Sequence, residues 1–172
     1  TSGGLSAERL EVLMLGHFGF SYIGLVYLLM LFVPNLLWIR HKPQGYSSAG
    51  ESRVLAFCER AGEVCVCCAA LAFSDFNLKS WSYWSLFLLL SFLLMVLYEA
   101  WWIGYFKSEK TLQDFYRSFL GIPVVGATLP VLAFFLLGVY GKNLWMMLAS
   151  LLLGMGHIGI HLQHRAQLER QE

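Results

Sequence analysis

The chain has 172 residues, 58% hydrophobic and only 13% charged, with a net charge of +1 and a mean hydropathy of +0.60. A soluble domain carries about twice that share of charge, so a globule coated in water-facing groups is excluded. Near-neutrality, and the lack of a basic stripe interleaved with stacking aromatics, exclude a nucleic-acid binder.

Residues 1–16 read as a short interfacial segment, in which Ser6-Ala7-Glu8 caps a helix reaching Leu15 and Gly16 stops it. Five apolar stretches follow: 18–39, 54–73, 80–106, 118–141 and 143–164. Each is long enough to cross ~30 Å of hydrocarbon at ~1.5 Å per residue, and none alternates as a barrel strand would. The first has no Asp, Glu, Lys or Arg. The second is apolar except for Glu59, Arg60 and Glu63, and it holds Cys58, Cys65, Cys67 and Cys68. Cysteines so close on one helix close no disulfide framework and read as small packing residues. The third is uncharged as far as Tyr98 and continues through Glu99. Leu112–Arg117 forms an amphipathic approach to the fourth, where Pro123 and Pro130 with Gly121 and Gly126 predict kinks. The fifth carries Ser150, Gly154, His157, His161 and His164 on one stripe.

The sequence therefore predicts an all-α polytopic membrane helix bundle of about five transmembrane helices, a single membrane domain over residues 1–172. Arg40, Lys42, Arg53, Lys107, Lys110, Arg117, Arg165 and Arg170 fall on one side, against Arg9, Lys79 and Lys142 on the other. By the positive-inside rule the N-terminus is outside and the C-terminus cytoplasmic, as in a multi-pass protein of the cell membrane. The tryptophans lie towards span ends, where amphipathic rings favour the interface.

Gly19-Phe20-Ser21-Tyr22-Ile23-Gly24-Leu25, the run Tyr105–Thr111 and the run Gly154–His161 (GMGHIGIH) resemble a family of small bacterial multi-spanning membrane proteins of uncharacterised function. The resemblance covers most of the chain and implies no activity and no site residues. A likeness to sterol-isomerase-like bundles is one of architecture alone.

Ionisable groups inside a bilayer are expensive, ~2.5–3.5 kcal/mol each on insertion scales, so their placement is informative. Counted from the cytoplasmic end at 1.5 Å per residue, Glu59 lies ~7 Å deep, Glu63 ~13 Å, Glu99 ~10 Å, His157 ~10 Å and His161 ~5 Å. Asn35 sits about as deep as Glu59. Singly, each has an ordinary structural explanation, such as a glutamate pairing with Arg53, Arg60 or Arg117 in the headgroup layer. Together they mark a polar interior site.

The favoured expectation is a divalent metal such as zinc or iron, with His157, His161 and Glu63 as ligands. Glu59 and Glu99 would be catalytic, as further ligands or proton acceptors, and Asn35 a hydrogen-bonding support, acting on a lipid-like substrate. The alternatives are an ion- or proton-coupled transport component, in which the same carboxylates and imidazoles exchange protons, and an accessory protein without catalysis. Expected partners are the lipid bilayer, a lipid-like substrate and a further copy of the chain in a homo-oligomer.

Overall fold

A computed structural model describes residues 15–170, so the expected interfacial segment lies outside the described residues apart from Leu15 and Gly16. The described residues form an all-helical bundle with no strand. Its helices are α1 (Tyr22–Ile39), α2 (Arg53–Ala72), α3 (Ser85–Lys107), the short α4 (Leu112–Tyr116), α5 (Val125–Gly141) and α6 (Leu144–Glu169). Three of them, α1, α3 and α6, are long and apolar enough to cross a membrane, and α5 is a shorter apolar helix of 17 residues. The remaining long helix, α2, carries Arg53, Glu59, Arg60 and Glu63 and is correspondingly less apolar.

Caps explain where the helices begin. Ser21 accepts a hydrogen bond from the Gly24 N–H at 2.9 Å to open α1, and Asn143 accepts from the Met146 N–H at 3.0 Å to open α6. Thr111 and Asp114 form a reciprocal capping box on α4. The fourth apolar stretch becomes helical only at Val125, seven residues later than expected. A tight turn pairs Phe119 with Ile122, and Leu120, Gly121 and Val124 take left-handed conformations around Pro123, so no helix can propagate through it.

Close packing is set by glycines whose missing side chains admit a neighbouring backbone. A Cβ on Gly156 of α6 would fall 2.5 Å from the Leu55 carbonyl oxygen and 2.6 Å from Glu59 Cα, while one on Gly62 of α2 would meet the Leu153 backbone. These reciprocal contacts draw α2 and α6 together, as small residues do between membrane helices. On the other side α3 packs on α5, with Trp101 lying against Gly126, and α5 packs on α6. Helix α1 is the loosest member. It meets α2 closely at Gly24, against the Ala70 backbone, and has little contact elsewhere.

The two ends of the bundle differ. One gathers residues 40–52, residues 108–124 and the end of α6: Gln163 Nε2 donates to Gly50 O at 2.8 Å, Arg165 to Ser118 Oγ at 2.9 Å, and Tyr105 to His41 O at 2.8 Å. At the other, Tyr140 donates to Asn77 O at 3.0 Å, and His17 is tied to Asp75.

Candidate functional site

Helix α1 contains Pro34, which has no N–H to give to the preceding turn. Next to it, Asn35 turns its side-chain amide back onto the backbone: Nδ2 donates to Leu31 O at 2.6 Å and to the Tyr98 hydroxyl of α3 at 2.8 Å. Asn35 is thus a polar point in an otherwise apolar helix, and it anchors α1 to α3.

Where α1 stands away from α2, a cleft of about 300 Å³ opens, lined on the α1 side by Leu31, Phe32, Asn35, Leu36, Trp38 and Ile39. Its other wall consists of Glu59 and Glu63 of α2 with Leu153 and His157 of α6. Four residues singled out by depth thus share one cavity. Gly156 explains the heart of it, because the close approach of α6 to the Glu59 backbone brings His157 Nδ1 to 2.5 Å from Glu59 Oε1. Each of these two side chains is 27% exposed, towards the cleft rather than buried away from it. Glu63, one turn further along, is exposed and makes no hydrogen bond or ion pair among the described residues. The pairing of Glu59 or Glu63 with Arg53, Arg60 or Arg117 does not occur among them either.

His161 lies behind His157, with ring centroids 4.7 Å apart, and is enclosed by Phe115 at 5.5 Å and Tyr116 at 5.6 Å. It does not line the cleft. Further along the same face, His164 Nε2 meets Glu51 Oε1 at 2.9 Å, with the imidazole between the rings of Tyr46 and Tyr116. A small polar pocket of about 170 Å³ borders His164, Tyr46 and Tyr116 at the basic end. Both phenols stay protonated beyond their ordinary range, chiefly through burial and secondarily, in Tyr46, through the charges of Glu51 and Glu59.

Glu99 stands apart. It follows Tyr98 on α3, is half-buried, and has one carboxylate oxygen enclosed without a hydrogen-bond partner among the described residues, but it does not border the cleft. Among the described residues no three of His, Cys, Asp and Glu converge as a metal site would require. The expected ligand set of His157, His161 and Glu63 is instead distributed, with His157 on Glu59, His161 among rings and Glu63 on the open wall.

Two pairings escape a reading by depth. Glu51 lies in a loop, yet Gln163 holds that loop against α6 and delivers the carboxylate to His164. At the opposite end, Asp75 accepts from His17 twice, from the backbone N–H at 2.6 Å and at the Nδ1 position at 2.8 Å. The i, i+4, i+7 spacing of His157, His161 and His164 places them on one face of α6 but carries no signal for the loop carboxylate that meets the last of them.

The chemistry available at the cleft follows from this geometry. With Glu59 accepting from Nδ1–H, His157 is held in the tautomer whose other ring nitrogen is free to accept a proton, and the carboxylate compensates the imidazolium that forms. No protein-family model, no characterised protein and no solved structure matches the chain.

Proposed function

We propose that this chain is a multi-pass protein of the cell membrane, N-terminus outside and C-terminus cytoplasmic, whose cleft performs acid–base chemistry on a lipid-like molecule admitted sideways from the bilayer. The membrane reading rests on the apolar faces that α1, α3 and α6 leave exposed, among them Leu29, Val33 and Leu36, Leu89, Leu93 and Val96, and Leu148, Leu151 and Met155. Faces of this extent are stable against hydrocarbon, not water. The two shorter or more charged helices, α2 and α5, complete five crossings. In α2, Glu59 is hydrogen-bonded to its histidine, and Arg60 is long enough to reach the nearer surface. The cations of the 40–52 and 108–124 connections and of the α6 terminus gather at one end, which the positive-inside rule makes cytoplasmic.

One observation carries the chemical part: the Glu59–His157 pair forms the wall of a cleft whose remaining lining is mostly apolar and open between α1 and α2. Pockets that hold small ligands combine apolar walls with a few convergent polar groups in this way. His157 takes or gives the proton, Glu59 orients and balances it, Glu63 acts from the same wall, and Asn35 faces them with an amide. The test is label uptake. Protein in nanodiscs made from extracted lipids is incubated in ²H₂O, and the lipids are read by mass spectrometry. Deuterium entering carbon-bound positions of one lipid class, abolished by His157→Phe and by Glu59→Leu, is expected. A lipid extract without protein-dependent deuterium overturns the reading.

A second reading, a proton-coupled transport component, is favoured by the line of imidazoles from His157 through His161 to His164, which joins the cleft to the pocket at the basic end. It requires proton flux into sealed liposomes that His161→Phe stops.

A further inference from the structure

The polar pocket at the basic end is walled by three separate segments: Tyr46, Ser47 and Ala49 of the loop between α1 and α2, Tyr116 of α4, and His164 and Gln167 of α6. Each wall is pinned. Gln163 clips the loop to α6 with both ends of its amide, Nε2 donating to Gly50 O at 2.8 Å and Oε1 accepting from the Ser52 N–H at 3.4 Å. The Tyr46 ring stands edge-on to Trp38 with centroids 5.0 Å apart, and the capping box of Thr111 and Asp114 fixes α4. Within these walls several hydrogen-bonding groups are unspent. Tyr116 is only 4% exposed, yet its hydroxyl is not enclosed and makes no hydrogen bond among the described residues. The Tyr46 hydroxyl and the Gln167 amide make none there either. Ser47 Oγ accepts from the Ala49 N–H at 3.1 Å and keeps its own proton to give.

The chemistry of the lining selects the ligand. It holds no Lys, Arg, Asp or Glu, and its one imidazole is already matched by Glu51 at 2.9 Å. Lys42 stays outside it, with Nζ over the Trp38 and Tyr46 rings at 5.1 and 5.7 Å. A charged ligand would therefore lose water without gaining a counter-charge. The groups that remain, two phenols, a hydroxyl and an amide, each give and take a hydrogen bond, as neighbouring hydroxyls on a sugar do. The volume of about 170 Å³ equals the share of about six waters in the liquid, too little for a whole lipid and enough for one hydroxylated ring. We infer that this pocket binds one ring of a neutral polyhydroxylated molecule, a monosaccharide or cyclic polyol, either free or as the headgroup of a lipid, through Tyr46, Ser47, Tyr116 and Gln167. The site is independent of the acid–base chemistry of the cleft.

The test is saturation-transfer magnetic resonance on the full chain in phosphatidylcholine nanodiscs, titrated with glucose, galactose or myo-inositol in turn. Transfer to the ring protons of at least one of them, absent from empty nanodiscs, is expected. Tyr116→Phe and Gln167→Leu should each weaken that binding roughly fivefold, the worth of one hydrogen bond. Ala49→Phe, at an exposed position on the lining, should abolish it while leaving the thermal unfolding temperature in place, and so guards against loss of fold. Replacing half of the phosphatidylcholine by monoglucosyl diacylglycerol separates the two sources. Loss of transfer to the free ring assigns the pocket to a lipid headgroup, and unchanged transfer assigns it to a free polyol. No transfer to any of the three compounds, which leaves the pocket to water, overturns the inference, as does transfer unchanged in all three variants. Displacement of the bound ring by equimolar inorganic phosphate also overturns it, since the pocket would then serve an anion.

Discussion

Replacing Gly156 by alanine is the smallest change that should dismantle the candidate site. The added Cβ would lie 2.5 Å from Leu55 O and 2.6 Å from Glu59 Cα, both backbone atoms of α2 that cannot rotate aside. Glu59 N lies closer still, so restoring contact distances of ~3.5 Å requires α2 and α6 to separate by at least about 1 Å. The same displacement lengthens the His157–Glu59 contact from 2.5 Å to roughly 3.5 Å, beyond hydrogen-bond range. Overpacking of this kind costs about 1–3 kcal/mol, and loss of a hydrogen bond to a charged group about 1.5–3 kcal/mol. A total destabilisation of about 2.5–6 kcal/mol is therefore expected. Gly154→Ala is the control. Its Cβ would meet the tip of Val131 at 2.9 Å and of Ile158 at 3.9 Å, side-chain ends that can turn, so it should cost less than about 1 kcal/mol. Reversible unfolding in mixed micelles measures both variants. Equal stability of the two, or an intact His157–Glu59 bond in Gly156→Ala, would refute the close helix approach on which the site depends.

Glu59→Leu and His157→Phe should each destabilise by about 1–3 kcal/mol, because each leaves a polar group beside hydrocarbon without its partner. The double variant should be closer to wild type than the two losses summed, a non-additivity read from the same unfolding curves. The docking of α4 should weaken in acid. The Asp114 carboxyl is held below its ordinary 3.8, mainly by the Thr111 backbone N–H and further by the Thr111 and Ser108 hydroxyls and Arg117, with burial opposing. Since the folded value is depressed, its contribution is complete above about pH 4 and lost as pH falls through that depressed value; amide exchange at residues 111–116 should rise there in wild type and be flat in Asp114→Asn. If the cleft works by proton transfer alone, a chelator should leave the unfolding temperature unchanged. Near-stoichiometric zinc or iron by elemental analysis, lost in the His157→Ala/His161→Ala pair, would instead support the metal reading.

Depth along a helix was the legible quantity, and it brought Asn35, Glu59, Glu63 and His157 to one cleft because counting residues at a fixed rise requires no knowledge of packing. Angle around the helix was not legible to the same degree. Glu99 shares the depth of His157, but on α3 it is Tyr98, one residue earlier, that faces α1 and binds Asn35. The close approach of α2 and α6 is made at Gly156, beside the Ser150–Gly154–His157 stripe rather than on it, and at Gly62: each admits the other helix's backbone. Loop partners were invisible for a different reason. Glu51 meets His164 across 113 positions only because Gln163 pins the loop to α6, and Asp75 meets His17 across 58 only because their two connections end side by side. The late start of α5 reflects left-handed Leu120 and Val124 flanking Pro123, which no apolar pattern reports.

The most direct measurement is a through-space magnetic-resonance contact in protein embedded in lipid bilayers, between the ¹³C-labelled carboxyl of Glu59 and ¹⁵N-labelled Nδ1 of His157. A strong correlation that vanishes in Gly156→Ala is the expected outcome, for it places a carboxylate and an imidazole from separate helices together inside the membrane. Absence of that correlation, with the His157 ring instead in contact with lipid phosphorus, would mean the two side chains reach out to the headgroups and form no site.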